Sequence, residues 1–448
     1  MTGFEIPQSW TLSTLGAVAK WGSGGTPSRS NPNLYGGSIP WFKTGGLGPR
    51  VIFKSEETIS SEALTQSSAK LFPQGSIALA MYGATIGKVS FLGIEAATNQ
   101  ACAVGITNQE VAYGGYIYYF LRSQRDAFIA AGQGGAQPNI SQTVVKAWPI
   151  PIAPFAEQKR IADKLDTVLN RVDAVNTRLA RVAPLLKRFR QSVLAAATSG
   201  RLTEDWRNSS GVSSAWQTTE VQSVAQVGTG STPLRSNPAF FSPTGTPWVT
   251  SAATSSEIVN KANEYVTPEA IAAHRLKVFP VGTLLVAMYG EGKTRGQVTE
   301  LGIPATINQA CAAVVVDESK MLKAFVKLAL QANYFEMRVL AEGGNQPNLN
   351  LAKVKGFPLP FPCLKEQAEI VRRVETLFVF ADCLEVRLQK AQIAADRFTP
   401  SLLAKAFRGE LVPQDPNDEP ASELLRRLKS DAITQSVAKR GRRKTELT

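Results

Sequence analysis

The chain has 448 residues, with 49 Lys and Arg against 36 Asp and Glu, a formal net charge of +13, four cysteines and one histidine. That length exceeds a single core, so two or more domains are expected, and the positive balance favours an anionic partner. Four scattered cysteines exclude a disulfide framework, no cysteine pair has metal-ligand spacing, and His274 alone cannot complete a Ser/His or Cys/His catalytic set. Buried, reduced thiols and a cytoplasmic setting are expected. No basic-then-apolar leader opens the chain. The longest apolar runs, such as Ala310–Val316, are strand-length, well short of the roughly 20 residues of a membrane span, so no membrane partner is expected.

Taken in order, the chain is a repeat. Trp10 answers to Trp216. Gly24-Gly25-Thr26-Pro27 and Arg29-Ser30-Asn31-Pro32 answer to Gly230-Ser231-Thr232-Pro233 and Arg235-Ser236-Asn237-Pro238. Ala80-Met81-Tyr82-Gly83 answers to Ala287-Met288-Tyr289-Gly290, and Asn99-Gln100-Ala101-Cys102-Ala103 to Asn308-Gln309-Ala310-Cys311-Ala312. Gln137-Pro138-Asn139 answers to Gln346-Pro347-Asn348. Short apolar runs predict strands at Ile77–Met81, Ala101–Ile106, Leu284–Met288 and Ala310–Val316. Helices are expected around Tyr116–Ala130 and Lys323–Leu340, followed by glycine breaks at Gly132–Gly135 and Gly343–Gly344. Pro149-Ile150-Pro151 and Pro358-Leu359-Pro360 mark extended exits. Residues 1–154 carry 10 basic against 7 acidic side chains and residues 209–363 carry 12 against 10, so neither unit is a basic domain by itself.

A heptad seam follows each unit. Ile161, Leu165, Val168, Val172, Val175, Leu179 and Val182 alternate spacings of four and three. Adding 209 gives Ile370, Val374, Leu377, Ala381, Leu384, Leu388 and Ala391. At about 1.5–3 kcal/mol per buried aliphatic side chain, two such stripes hold each other. Pro184 predicts that the first helix stops near Ala183 and a second begins, with Leu185, Phe189, Val193 and Leu194 as its apolar face. Gly200 and Gly409 are placed to end the helical stretches. Arg207–Ser214 reads as a polar joint, 413–420 as a loop, and Ala421–Lys429 as one short helix. A basic tail, Lys439-Arg440-Gly441-Arg442-Arg443-Lys444, is either a solvated end or a phosphate-binding one. The resulting segments are 1–154, 155–208, 209–363, 364–412 and 413–448.

Motifs for catalysis are thin. Ala287–Thr294 matches a relaxed P-loop, but a true P-loop leads into a helix, whereas Arg295-Gly296-Gln297-Val298-Thr299 reads as a strand. The better reading is a hairpin tip presenting Lys293 and Arg295, with Lys88 at the matching tip. Glu157-Gln158-Lys159 resembles part of a nuclease metal site, yet Ala368 replaces Lys159 in the repeat. Candidate nucleic-acid contacts are Thr26, Arg29, Lys43, Tyr82, Thr85 and Lys88 in the first unit and Thr232, Arg235, Tyr289, Lys293 and Arg295 in the second. Glycine-punctuated loops with one arginine bring backbone N–H groups and a guanidinium to phosphate or a guanine edge, the alternative being ordinary turns. Asn99-Gln100 and Asn308-Gln309 either read adenine or satisfy local backbone. Tyr82 and Tyr289 either meet DNA or are half-buried aromatics. No catalytic residue and no metal site is assigned.

Several stretches carry a resemblance: Ala156-Glu-Gln-Lys-Arg-Ile161, Leu186–Leu194, Gly200-Arg-Leu-Thr-Glu-Asp-Trp206, Lys365–Glu375 and Leu403–Leu411. With the duplication, they make the chain resemble the specificity subunit of type I restriction–modification systems, in the subfamily from enteric bacteria. The resemblance implies an α+β fold: two tandem mixed α/β target-recognition domains, separated and followed by long helices that form an antiparallel coiled coil with pseudo-twofold symmetry. It implies a non-catalytic subunit that reads double-stranded DNA, each domain taking one half of a bipartite target. It also implies two modification subunits, which bind S-adenosylmethionine, and restriction subunits, which use ATP and Mg, with no cofactor on this chain. A helix of about 28 residues spans roughly 40 Å, on the order of a dozen base pairs, so the coiled coil would act as a ruler. The alternative is a coiled-coil DNA-binding scaffold without those partners. The likeness of the two units favours half-sites with partial inverted symmetry, except where the tip Ala84–Gly87 is two residues shorter than Glu291–Gly296.

Overall fold

The structure is a computed structural model that describes residues 6–133, 138–212, 215–289, 294–341 and 349–427. Lys293, Gln137, Gln346-Pro347-Asn348, Gly343–Gly344 and the basic tail lie outside the described residues. Two units emerge, residues 1–178 with 391–448, and residues 179–390. Both repeats of the chain therefore contribute to each unit.

In the first unit, apolar runs pair into a five-stranded sheet ordered Ala19–Ser23, Cys102–Thr107, Ile77–Ala80, Val89–Leu92, Val51–Ile52. A four-stranded sheet follows the order Glu57–Ile59, Tyr35–Phe42, Ala96–Thr98, Leu71–Phe72. The chain is closed by Thr11–Thr14 against Pro149–Ile152. Every residue of Ile77–Ala80 is buried, as the unbroken apolar run requires of a central strand. The second unit repeats the plan with the five-stranded order Ala225–Thr229, Cys311–Val316, Leu284–Ala287, Val298–Leu301, Ile258–Val259, and with Gln217–Glu220 against Pro358–Phe361. The predicted helices form as pairs, Gly114–Ser123 with Arg125–Ala131 and Lys323–Ala332 with Tyr334–Ala341. Cys102 and Cys311 are buried in the strands, where desolvation pushes both thiols up to about 12.

Two long helices pass through these units, Phe155–Thr198 and Leu364–Ala406. The expected stop at Pro184 does not occur: the first helix runs through it, and the second runs through Pro400. A proline inside a helix costs about 3 kcal/mol. Beyond Pro184, Leu186 and Val193 are buried, and beyond Pro400, Leu402, Leu403, Ala406 and Phe407 are buried. At about 1.5–3 kcal/mol each, that burial outweighs the lost hydrogen bond. The apolar face after Pro184 is also shifted: Leu185 is exposed and Leu186 takes the inner position. Gly200 and Gly409, at φ +78° and +76°, follow the helix ends as expected. The expected joint at Arg207–Ser214 is instead helical over Glu204–Ser210, and it turns at Gly211 with φ +64°.

In the first unit, Ile161, Leu165 and Leu169 share a core with Leu402, Leu403, Ala406 and Phe407. In the second, Ile370 and Val374 share a core with Val193 and Ala197. Within each unit the start of one long helix therefore lies with the end of the other, and the two run antiparallel. The second seam is covered throughout, with Ala381 and Leu388 buried and Leu377 and Leu384 half-buried. The first is covered less evenly. Val168, Val172, Leu179 and Val182 are half-buried, and Val175 is 47% exposed. A 4-3 spacing selects a helix face but does not fix how much of it a neighbour covers.

The start of each long helix is clamped to its unit by two buried side chains. Trp10 Nε1 donates to Glu157 Oε2 at 3.0 Å. Gln158 accepts from the Tyr113 N–H at 2.8 Å and donates to the Ala153 and Val111 carbonyls. Likewise, Trp216 Nε1 donates to Glu366 Oε2 at 3.0 Å, and Gln367 accepts from the Leu322 N–H and donates to the Pro362 carbonyl. Glu157-Gln158 is thus an anchor, which accounts for the fragment that resembled a nuclease site. The two clamps differ in charge. Glu366 also meets Thr203 and Arg207, the latter at 2.5 Å with side chains 1% and 11% exposed. Glu157 Oε1 is buried with no partner among the described residues, and burial holds its carboxyl above the ordinary value of 4.5.

Glu366→Ala should therefore cost about 3–5 kcal/mol, because it strands a mostly buried arginine. Urea unfolding of the full chain measures this. A carboxyl with a raised folded-state pKa penalises folding increasingly as pH rises past its unfolded value. Glu157→Gln should accordingly raise the urea midpoint at pH 8, and the gain should shrink as pH falls towards 5.

Candidate functional site

In the first unit three segments meet at one end of the five-stranded sheet, the glycine-rich loop, the Asn-Gln turn and the hairpin tip; in the second the glycine-rich loop, the Asn-Gln turn and the base of the hairpin meet in the same way. Gly24 and Gly25 follow the first strand of that sheet and pass directly over Thr98 and Ser68. A Cβ on Gly24 would stand 2.0 Å from the Thr98 carbonyl oxygen. Gly230 makes the same approach, its Cβ position lying 1.7 Å from the Ile307 carbonyl oxygen. These are close-approach glycines, and they place Thr26 and Thr232 over the Asn-Gln turn. The Thr26 hydroxyl donates to Gln100 Oε1 and the Thr232 hydroxyl to Gln309 Oε1. Both glutamines are exposed. Each carboxamide is therefore oriented by its oxygen, with its two N–H donors on the other side.

The Arg-Ser-Asn-Pro motif is a turn with an arginine mounted on it. Asn31 accepts from the Asn33 N–H at 3.2 Å and Asn237 from the Ala239 N–H at 3.1 Å, each opening a short 3-10 helix with proline at its start. Arg29 stacks over Tyr35 at 4.3 Å and Trp41 at 5.4 Å, and its Nη2 lies 2.7 Å from Glu57 Oε2. Arg235 stacks over Phe241 at 5.2 Å and Trp248 at 5.1 Å, with both Nη atoms on Glu264 at 2.5 and 2.9 Å. Arg235 holds Glu264, and Lys43 together with Arg29 holds Glu57, below the usual carboxylate range. Lys43 and Arg29 thus share one carboxylate, whereas Arg235 has one to itself. Trp41 and Trp248 tie each platform to its loop through the Gly25 and Ser231 carbonyls at 3.0 and 3.2 Å.

The third segment is the hairpin tip between Ile77–Ala80 and Val89–Leu92. Met81 N–H donates to the Ala101 carbonyl, next to Gln100, at 2.8 Å, and Gly83 N–H donates to the Pro138 carbonyl at 2.9 Å. Thr85 caps the tip by donating to the Tyr82 carbonyl at 2.7 Å. Tyr82 is 42% exposed, whereas Tyr289 is half-buried against the core of its unit. In the second unit Met288 N–H donates to the Ala310 carbonyl at 2.8 Å, repeating the junction. Lys293 lies outside the described residues. Gly296, at φ +82°, turns the chain back into the strand Val298–Leu301. No helix begins after Thr294, as the hairpin reading expects of a segment that is not a P-loop. Arg295 is half-buried, and its carbonyl accepts from Arg338 at 3.4 Å.

Thr26, Arg29, Lys43, Tyr82 and Thr85 thus belong to connected segments of one unit, as Thr232, Arg235, Tyr289 and Arg295 do in the other. Lys88 stands at the base of its hairpin, half-buried in a cleft. The candidate residues omitted Glu57 and Glu264, whereas Gln100 and Gln309 were weighed as adenine readers or local backbone partners. The available signal was the repeat itself, since Glu57 recurs as Glu264 at an offset of 207 inside otherwise divergent sequence. Chemically, the arrangement offers oriented amides, stacked guanidiniums and an exposed aromatic, which are the groups that read base edges and phosphates. Among the described residues no cluster of metal-ligating side chains occurs, and no helix is long and apolar enough to cross a membrane.

A Gly24→Ala or Gly230→Ala change should displace its loop and weaken DNA binding by at least tenfold in a gel-shift titration. Gly45→Ala, where nothing lies within 4 Å of the added carbon, should leave binding unchanged.

The family model for the type I restriction modification DNA specificity domain matches residues 7–183 and again 213–391. The specificity subunit of the EcoKI type I restriction enzyme from Escherichia coli K12 is 26% identical, covering 99% of this chain and all of the relative. That of StySPI from Salmonella potsdam is also 26% identical, over 98% and 99%. Among solved structures, a chain of a type I restriction–modification system aligns over 91% of this chain and all of its own, with a TM-score of 0.74 at 18% identity. The HsdS subunit of Thermoanaerobacter tengcongensis aligns over 92% and 99%, with a TM-score of 0.62 at 17% identity.

Proposed function

Because the chain belongs to the type I restriction modification DNA specificity family and carries its domain twice, we propose that each unit reads one half of a split DNA target while the long helices set the gap between the halves. It acts in the cytoplasm as the non-catalytic member of a complex with two modification subunits and restriction subunits. S-adenosylmethionine serves the modification subunits, and ATP and Mg serve the restriction subunits. The observation that carries this reading is the repetition of one constellation in both units: a threonine-oriented glutamine, and an arginine stacked on two aromatics and paired to a glutamate. Reuse of a binding constellation fits a target with two similar halves. The long second helix also leaves Val379, Phe380 and Val386 exposed by half or more, a surface suited to covering by a partner protein.

Two further consequences belong to the same reading. The shared Gln and Arg constellations favour identical bases at matching places in the two half-sites, on opposite strands. The unlike tips, Ala84–Gly87 and Glu291–Gly296, favour a difference where the tips reach.

Methylome sequencing of a methylation-free host expressing the chain with its modification subunit tests the proposal. A split motif, methylated on adenine, with a fixed gap and partly inverted halves is expected. A soluble complex that leaves no methylated motif would oppose it. Exchanging the two tips should change the bases recognised in both halves, and an unchanged motif would remove the tips from base reading.

A further inference from the structure

The first unit contains a cationic cleft whose four cations are not kept at the matching described positions of the second unit. Its walls are the base of the hairpin tip, the junction of the helices Gly114–Ser123 and Arg125–Ala131, and the last turns of the second long helix. It encloses about 640 Å³. Lys88, Arg122, Arg125 and Arg408 line it, and Asp126 is the one acidic side chain on its walls. Arg122 lies over the Tyr118 and Tyr119 rings at 5.8 and 6.0 Å, and Arg408 is held by Glu410 at 2.7 and 2.9 Å. Gly87, at φ +78°, lets the hairpin pass close to Arg125: an added Cβ would stand 2.7 Å from the Arg125 Cγ.

At the offset of 209, the matching residues of the second unit are Gln297, Gln331, Tyr334 and Ser199. All four cations are replaced by neutral residues. Three positions run the other way, Arg338 in place of Ile129 among them, with its guanidinium on the Arg295 carbonyl and over the Tyr334 ring. Arg295 matches Ile86, and Arg190 matches Thr399, but Arg190 is occupied by Asp382 at 2.6 Å and Glu385 at 3.1 Å. The sheets, clamps and loop constellations are preserved between the units, so the replacement of all four residues at these positions is not general drift of a surface.

We infer that this cleft holds phosphates of the DNA backbone and is used by the first unit alone. The inference rests on the DNA-recognition reading above and adds to it an electrostatic division of labour. Lys88 lies at the foot of the hairpin whose tip carries Tyr82 and Thr85, so backbone running past that tip reaches the cleft. The cleft is concave and carries four cationic side chains against one carboxylate, which suits an anion. Two or three phosphates held there make the first half-site the stronger electrostatic anchor. The second half-site then depends more on base contacts.

The test compares the full chain, assembled with its modification subunits, with a variant carrying the second unit's own residues: Lys88→Gln, Arg122→Gln and Arg125→Tyr. The probe is a duplex bearing the methylated motif, titrated by fluorescence anisotropy at several salt concentrations. Each phosphate contact contributes about 0.9 to the slope of log affinity against log salt. The variant should have a slope shallower by about two to three and bind on the order of 10- to 100-fold more weakly at 0.15 M salt, with the motif unchanged. An unchanged slope in a variant that melts like the parent overturns the assignment. So does a variant whose DNA slope is unchanged but whose assembly with the modification subunits has become salt-sensitive, which would make the cleft a site for an acidic protein segment. If the triple variant fails to fold, the reverse graft decides. Gln297→Lys with Gln331→Arg should steepen the slope by one to two, and no change overturns the inference. A parent protein with a methylated motif but an unaltered variant removes the cleft only. A parent with no motif and no salt-dependent binding removes the DNA reading as well.

Discussion

The structure depends on the grip that each globular unit keeps on the start of its long helix. Glu157-Gln158 and Glu366-Gln367 sit in the first turn of their helices, where a carboxylate also complements the helix dipole. They spend their hydrogen-bonding groups on a tryptophan from the start of the unit and on backbone from its middle and end. Three distant parts of the chain are thereby tied to one helical turn. Such side chains are costly to bury unless satisfied, so the helix direction leaving each unit is set by polar geometry as much as by the heptad seam. Glutamine has a partner on both its oxygen and its nitrogen in each unit. Among the described residues, both carboxylate oxygens of the glutamate have partners only in the second, where Arg207 and Thr203 complete its shell.

That difference is one of several in which the repeat has kept a framework and altered its charges. The sheets share an order, the close-approach glycines recur, and an arginine stacks over two aromatic rings in each unit. The differences lie in what surrounds these features. Lys43 joins Arg29 on Glu57, while Glu264 serves Arg235 alone. Lys88, Arg122 and Arg125 become Gln297, Gln331 and Tyr334. A pseudo-symmetric protein can thus present similar readers to two half-sites while holding the DNA backbone unequally.

Much of the framework was legible in the residues. The duplication, the strands at Ile77–Ala80 and Cys311–Val316, and the long helices with their seams follow from period and offset. Those signals are local or repeat at fixed spacing. Less legible was anything decided by a partner far along the chain. Pro184 reads as a helix stop because its local cost is known, whereas the burial of Leu186 and Val193 that outweighs the cost is tertiary. Arg29 and Arg235 read as free cations on loops, yet each is paired with a glutamate almost 30 residues away, a pairing without a local pattern.

By itself the sequence determined the number of units, their α+β class, the helical spacers and the kinship with DNA-specificity proteins, because periodicity and repetition survive in one dimension. Only the tertiary structure decided which charges remain available and which are spent. It showed that Glu157 belongs to an anchor, that Gln100 and Gln309 are held by threonines, and that Lys88, Arg122, Arg125 and Arg408 of the first unit converge in one cleft. Hydrogen bonds and ion pairs act over a few ångströms, and residues that far apart in sequence reach such distances only when the fold brings them together.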